Sequence, residues 1–103
     1  MHIPLDEALV LLNSWKDKGT RLRVHASGAG IRQDLPQSTI RALKGTIVEI
    51  GDDETKLEVD LKDADYNGDW SPPAYLICEF RDGGRYSFYA LRDEVSGADS
   101  KLK

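Results

Sequence analysis

The chain has few of the residues from which metal, redox and disulfide sites are built. Its 103 residues include one cysteine, Cys78, and two histidines, His2 and His25, that stand far apart in the sequence. A single thiol cannot form an internal disulfide, which suits a reducing compartment. Zinc sites need clustered cysteine and histidine ligands, and no such spacing occurs. We therefore expect a cytoplasmic protein with no metal site and no cofactor.

Long hydrophobic runs are also missing. Hydrophobic residues make up 40% of the chain and charged residues 31%, but no run approaches the roughly 18 apolar residues that span a bilayer. The N-terminus carries Asp6 and Glu7 where a signal peptide would have a basic leader. The sequence predicts a soluble globular protein that neither enters a membrane nor is secreted.

No set of catalytic side chains is visible. Cys78 falls on the apolar face of a predicted strand, which favours a core position. His25 falls on a polar strand face without a carboxylate or nucleophile close to it in sequence. The glycine-rich stretch at 27–30 fails the dinucleotide-binding pattern because residue 33 is glutamine. We predict that the protein is not an enzyme.

Charge is distributed unevenly along the chain. Residues 1–48 have a balance of +3, residues 49–80 one of −8 and residues 81–103 one of +1, within a net charge of −4. An acidic chain is a poor general binder of nucleic acid, because neutralising phosphates dominates that affinity. The segregation suits head-to-tail association of copies, and its simpler interpretation is a solvated acidic hairpin.

Residues 4–18 carry the signals of a helix. One stripe recurs at spacings of three and four residues and contains Leu5, Ala8, Leu9, Leu12 and Trp15. Pro4 suits the first helical position, and Gly19 suits a left-handed C-cap. Val10 falls on the polar face. The pattern predicts an amphipathic helix that packs on the core.

Five strands follow in the predicted order. They are drawn from 20–27, 45–50, 57–61, 74–80 and 85–91, with long connections at 27–39 and 62–73. Asp82-Gly83 between two apolar runs indicates a hairpin. The run at 47–50 has apolar residues in succession, so we expect a central strand covered on both faces, by the sheet core and by the helix.

Five short antiparallel strands cannot make two well-covered sheets, so we expect them to curl into one small barrel. The predicted fold is mainly β, with an N-terminal α-helix followed by a five-stranded, strongly bent antiparallel small barrel of Sm-like or SH3-like type. A flat helix-on-sheet α+β domain is the alternative. Residues 1–92 form the single predicted domain, and residues 93–103 a frayed tail.

A helix followed by five bent strands resembles the Sm-like family, which includes bacterial Hfq. Gly45, Ile47 and Asp52, followed by the aliphatic strand at 57–59, fit the order of that family's second and third strands. The glycine permits a sharp bend in the strand. The asparagine that follows the aspartate in that family, and lines its RNA pocket, has no counterpart at 54–56. The resemblance implies a ring of subunits joined through edge strands, and RNA as a ligand.

Candidate binding residues fall into two groups. Arg21, Arg23, His25 and Arg41 are the basic residues that would contact RNA. Tyr66 and Trp70, in the predicted loop 62–73, would anchor a protein partner where they are exposed, because aromatic side chains dominate many interfaces.

The acidic loop 62–73 raises one further hypothesis, since DADYNGD has carboxylates at alternate positions, as calcium loops do. It lacks the closing glutamate, and a solvated loop is the favoured interpretation. We expect a non-enzymatic, self-associating interaction module of unknown specific role. A ring-forming RNA-binding protein and a ligand- or metal-regulated domain are the alternatives.

Overall fold

A computed structural model of the chain describes residues 1–28, 30–71 and 73–91. The elements are β1 (His2–Ile3), α1 (Leu5–Lys18), β2 (Leu22–Gly28), β3 (Ile31–Lys44), β4 (Ile47–Gly51), β5 (Lys56–Asp60), β6 (Ala64–Asp69), β7 (Tyr75–Phe80) and β8 (Arg85–Ala90). The predicted frayed tail at 93–103 lies outside the described residues.

The predicted helix is confirmed, and its ends follow ordinary capping rules. Pro4 is the N-cap rather than the first helical residue, and its carbonyl accepts from the N–H groups of Glu7 and Ala8. Gly19 ends the helix in the left-handed conformation, with φ of 64°. Val10 is 57% exposed, as its place on the polar face predicts. The opposite stripe is buried and packs mainly on β3.

Every strand pairing is antiparallel. All eight strands of the described chain belong to one sheet, in the order β1-β6-β7-β8-β2-β3-β4-β5. The prediction of a mainly β protein with one N-terminal helix is confirmed. The sheet has eight strands instead of the predicted five and is not closed, so the five-stranded barrel is not confirmed.

Two stretches predicted as connections contain strands. Residues 27–39 include the end of β2 and the first half of β3, whose register pairs His25 with Asp34 and Ser27 with Arg32. Residues 62–73 include β6, which pairs with both β1 and β7. Both stretches are rich in turn-forming residues. Their strand conformation is set by pairing with neighbours, since polar residues occupy a sheet when one of its faces is exposed.

The bend in the sheet lies in β3 and does not depend on Gly45. The strand runs 14 residues, pairing with β2 in its first half and β4 in its second. Its register shifts once opposite Leu22–Val24 and again between Ile40 and Ala42. Such irregularities increase the twist and bend of a strand. Gly45 instead occupies the β3–β4 turn with φ of 61°.

The prediction that β4 is covered on both faces is wrong. Val48 and Ile50 are buried, while Ile47 is exposed and Glu49 half-buried, so the strand alternates. Ile47 adjoins the core residues in sequence, but its side chain lies on the exposed face.

The core lies between α1 and the concave face of the sheet. Its fully buried side chains include Leu12, Leu22, Val24, Val48, Ile50, Leu61, Leu76, Cys78 and Phe88. Cys78 therefore has the predicted core position, and burial raises the pKa of its thiol to about 12. Among the described residues, no helix has the length and apolar character needed to cross a bilayer.

Candidate partner-binding site

The structure places the four basic residues predicted to bind RNA in two pairs. Arg23 and His25 lie on β2, opposite Asp34 of β3. The Arg23 guanidinium donates to both carboxylate oxygens of Asp34, from Nε at 3.5 Å and from Nη2 at 3.3 Å. His25 Nδ1 lies 3.9 Å from the same carboxylate. A carboxylate between the two basic side chains reduces the attraction of this patch for phosphate.

Arg21 and Arg41 line a different hollow, of about 250 Å³, near the start of β2 and the end of β4. Asp52 and Asp53 line it as well, and Arg41 Nη2 lies 3.9 Å from Asp53 Oδ1. Asp52 Oδ1 accepts from the N–H groups of Glu54 and Thr55 at 2.8 and 2.7 Å. The hollow therefore contains both basic and acidic side chains. The Asp52 carboxylate already accepts hydrogen bonds from the β4–β5 turn.

The two candidate partner residues differ in exposure. Tyr66 lies on β6 and is 5% exposed, and its hydroxyl donates to the Leu61 carbonyl in the core. Trp70, just after β6, is 44% exposed. The structure thus brings Trp70 but not Tyr66 to the surface.

The acidic stretch 62–73 does not gather into a metal site. Within the described ranges, no group of three or more metal-ligating side chains comes together. Asp65 and Asp69 are at two ends of β6, which holds them apart in an extended strand.

A more distinctive feature is the free edge of β5. Among the described strands, β5 has one neighbour, β4. Leu61 N–H donates to Thr46 at one end of this pair, and Asp52 N–H donates to Thr55 at the other. Because hydrogen-bonded residues alternate along an antiparallel strand, Leu57 and Val59 bond to β4. The N–H and C=O groups of Lys56, Glu58 and Asp60 therefore point away from it.

A groove of about 260 Å³ borders this edge, and we name it the seam groove. It is lined by Glu58, Val59 and Asp60 of β5, by Ser27 and Gly28 at the end of β2, and by Phe80, Asp82, Gly84 and Tyr86 of the β7–β8 hairpin. Strands β5 and β8 are thus the two walls of one groove, although they do not pair. The groove forms where β5 faces the end of β2 and the β7–β8 hairpin.

The seam groove is acidic. Glu58, Asp60 and Asp82 line it, and none of the described residues in its lining is basic. Asp60 Oδ1 accepts from the Thr46 hydroxyl at 2.7 Å and from the Lys62 N–H at 3.1 Å. These hydrogen bonds, led by that of Thr46, lower the pKa of Asp60 below its ordinary value of 3.8. Asp82 Oδ1 accepts from Gly84 N–H at 2.8 Å.

The inner wall of the seam groove is aromatic. Phe80 and Tyr86 are half-buried and meet edge to face, with their ring centroids 5.8 Å apart and their planes at 82°. Together with Val59 they give the groove an apolar side beneath its carboxylates. The hairpin that carries them is held by hydrogen bonds between Phe80 and the turn at 83–84. The groove can therefore accept both charged and apolar side chains.

A second surface, which we name the tyrosine row, crosses the outer face of the sheet. Tyr75 of β7 pairs with Tyr89 of β8, which pairs with Arg23 of β2. Directly paired residues point to the same face. Tyr89 is 41% exposed, and the Met1 ammonium group donates to the Tyr75 hydroxyl at 3.2 Å.

The seam groove residues were not singled out from the sequence. The signal that was present is the strand KLEVD, whose charged residues alternate with apolar ones on a short strand, as edge strands often do. No protein-family model, curated protein or solved structure matches the chain.

Proposed function

We propose that the protein is a non-enzymatic interaction module that binds an extended segment of a partner protein along β5. The observation that carries the proposal is the unpaired edge of β5, whose Lys56, Glu58 and Asp60 backbone groups face a groove. In strand addition, backbone hydrogen bonds to such an edge supply affinity, and alternating side chains supply specificity.

The fold supports this use of the edge. A free edge is a liability for aggregation unless it is short, charged or covered. β5 is five residues long and has charged side chains at every second position. Its unpaired side is also flanked by the β7–β8 hairpin, which limits access to a narrow segment. An edge with these features suits a single added strand rather than open-ended stacking.

We also propose that the five neighbouring strands β8-β2-β3-β4-β5 act as a small barrel. The barrel predicted from the sequence drew its strands from 20–27, 45–50, 57–61, 74–80 and 85–91, so this proposal has β3 in place of β7. Support comes from the seam groove, because the first and last of these strands line it together. On this view, β1, β6 and β7 extend the barrel at β8, and the seam groove is its open side. The Sm-like resemblance remains a prediction.

Selection from a displayed library of random linear peptides tests the proposal. Wild-type protein is expected to enrich peptides that bind Glu58→Pro much more weakly than they bind Glu58→Ala, because both variants lose the carboxylate and only proline also loses the backbone donor. Proline removes the outward N–H of residue 58 and leaves the β4 pairing in place, since edge strands tolerate proline on their free side. Enriched peptides that bind the two variants equally would contradict strand addition at β5.

Self-association through the same edge is a competing use. The charge segregation suits head-to-tail contacts between unlike surfaces, whereas pairing of two β5 edges brings two acidic segments together. Two KLEVD strands paired antiparallel about Glu58 place Lys56 opposite Asp60 of the second copy, but Glu58 opposite Glu58. Glu58→Gln removes that repulsion, so a dimer of this kind should strengthen in Glu58→Gln and be lost in Glu58→Pro. Light scattering over a range of concentrations measures the mass. A monomer mass for both wild type and Glu58→Gln would contradict self-association at β5.

RNA binding is the second candidate function, and the tyrosine row supports it. The exposed Tyr89, next to the half-buried Tyr75 and to Arg23 on one sheet face, can stack on an unpaired base. Retention of labelled single-stranded RNA at low salt should fall in Tyr89→Ala and remain in Trp70→Ala. A wild-type protein that retains no RNA at low salt would rule this function out.

A further inference from the structure

We infer that the seam groove accepts an extended segment with basic and apolar residues in alternation. This inference rests on the proposed function and adds the chemistry of the partner. Its basis is the combination of a free strand edge, carboxylates on one side of the groove and aromatic rings on the other.

The backbone of β5 fixes how such a segment lies. An added strand pairs with the outward N–H and C=O groups of Lys56, Glu58 and Asp60, continuing the sheet beyond β5. Side chains of the added strand then alternate between the two faces of the sheet. Residues directly opposite Glu58 and Asp60 share the exposed face with them, and the residues between share the face of Val59.

Charge selects the residues on the exposed face. Of the residues that the structure describes in the groove lining, three are carboxylates and none is basic. The nearby Lys56 lies 3.5 Å from Glu49, on the β4 side of the strand. Lys62 and Arg81 line a neighbouring hollow that shares Phe80 and Asp82 with the groove. A basic side chain opposite Glu58 or Asp60 therefore meets an acidic lining, although the nearby Lys62 offsets part of the charge of Asp60. The remaining negative charge favours basic segments and excludes acidic ones.

Aromatic packing selects the alternate residues. Val59 is buried, and Phe80 and Tyr86 are half-buried, on the inner side of the groove. A β-branched side chain between two basic residues would cover the exposed parts of these rings. Burial of apolar surface supplies affinity there, while the basic residues supply selectivity. The expected pattern is basic–apolar–basic, with the apolar residue facing inward.

The test uses a fluorescein-labelled peptide of sequence Thr-Arg-Val-Arg-Val-Arg-Thr and its counterpart with Glu for each Arg. Fluorescence anisotropy should show saturable binding of the basic peptide to wild-type protein and none of the acidic one. Glu58→Lys should weaken binding about tenfold or more, because it reverses a charge in the groove. Glu54→Lys is the matched control, since it makes the same charge change in the exposed β4–β5 turn and should leave affinity unchanged.

A version of the basic peptide with N-methyl groups at alternate residues separates strand addition from plain charge attraction. Its affinity should fall sharply, because N-methylation removes backbone donors and leaves the charge. Equal weakening by Glu54→Lys and Glu58→Lys, or equal binding of the methylated peptide, would overturn the inference.

The outcomes also separate this inference from the proposed function. If displayed peptides depend on the β5 edge but are neutral or acidic, the inference fails and the strand-addition proposal stands. If no peptide depends on that edge, both fail. If wild-type protein is a dimer that Glu58→Pro dissociates, and the basic peptide does not compete, the occupant is a second copy and the inference fails.

Discussion

At the scale of single residues, Gly28 matters both for the stability of the fold and for the shape of the seam groove. It ends β2 with φ of 83°, and a Cβ built there would lie 2.1 Å from the Gly83 carbonyl oxygen. The end of β2 and the turn of the β7–β8 hairpin therefore approach to backbone contact. This approach sets the floor of the groove, since Gly28 and Gly84 both line it.

Gly28→Ala should consequently destabilise the protein more than Gly30→Ala does. Both positions have positive φ, but nothing lies within 4 Å of a Cβ at Gly30. Gly30→Ala should cost about 1 kcal/mol for the left-handed conformation, and Gly28→Ala should exceed this because the hairpin must also shift. Urea unfolding measures both. If the two variants lose equal unfolding free energy, the close approach of Gly28 to Gly83 does not add to the cost of the substitution.

At the scale of elements, α1 shows how much an amphipathic pattern determines. Its buried stripe supplies Ala8, Leu11, Leu12 and Trp15 to the core, and the acidic and basic residues at its two ends match the helix dipole. Helices of this length are marginal alone in water, so packing on the sheet stabilises it.

Leu12→Ala should therefore lower the free energy of unfolding by about 2–5 kcal/mol, the range for fully buried leucines. Val10→Ala removes a similar amount of side chain from the exposed face of the same helix. It should change stability by no more than about 0.5 kcal/mol. A comparable loss in the two variants, measured by urea titration, would mean that α1 isn't anchored through this stripe.

The helix and the final hairpin were predictable from the sequence because their signals are local. Periodicity placed α1 to within one residue, and Asp82-Gly83 placed the turn between β7 and β8. The strand content of 27–39 and 62–73 was not predictable, since those residues have weak intrinsic preference for strands. They become strands by pairing with neighbours in the sheet: the first half of β3 pairs with β2, and β6 pairs with β1 and β7.

The candidate site was harder to predict than the fold. Arg23 and His25 were placed correctly on the polar face of β2, but Asp34 lies in a stretch predicted to be a loop. Its carboxylate is brought opposite them by strand pairing. Likewise, the alternation of charged and apolar residues in β5 predicts a strand. Its position at the edge of the sheet follows from the order of all the strands, which the local sequence does not contain.

At the scale of the whole molecule, aspartates that accept backbone and hydroxyl hydrogen bonds link stability to pH. Hydrogen bonds from Thr55 and Glu54 lower the pKa of Asp52, and that from Thr46 lowers the pKa of Asp60, below 3.8 in each case. A folded-state pKa below the unfolded value gives stability that is present above the unfolded pKa. That stability is lost as pH falls through the folded pKa.

Wild-type protein should therefore lose melting temperature as pH falls from about 5 to about 2. Asp52→Asn keeps an acceptor for the turn but no longer titrates, so its melting temperature should fall less steeply over this range. Asp53→Asn is the control. It removes the adjacent carboxylate, which makes a long ion pair with Arg41 and not the turn hydrogen bonds of Asp52. Parallel curves for wild type and Asp52→Asn would contradict a role for the Asp52 hydrogen bonds.

The position of β2 in the sheet has a consequence for synthesis of the chain. β2 is completed early, yet one of its two neighbours is β8, whose Ala90 pairs with Leu22 across most of the described sequence. A nascent chain emerging from the ribosome therefore cannot complete the pairing of β2 until β8 has left the exit tunnel. Sheets dominated by such distant pairs fold slowly. Until β8 arrives, β2 presents a second open edge, and a chaperone is most useful to this protein during that interval.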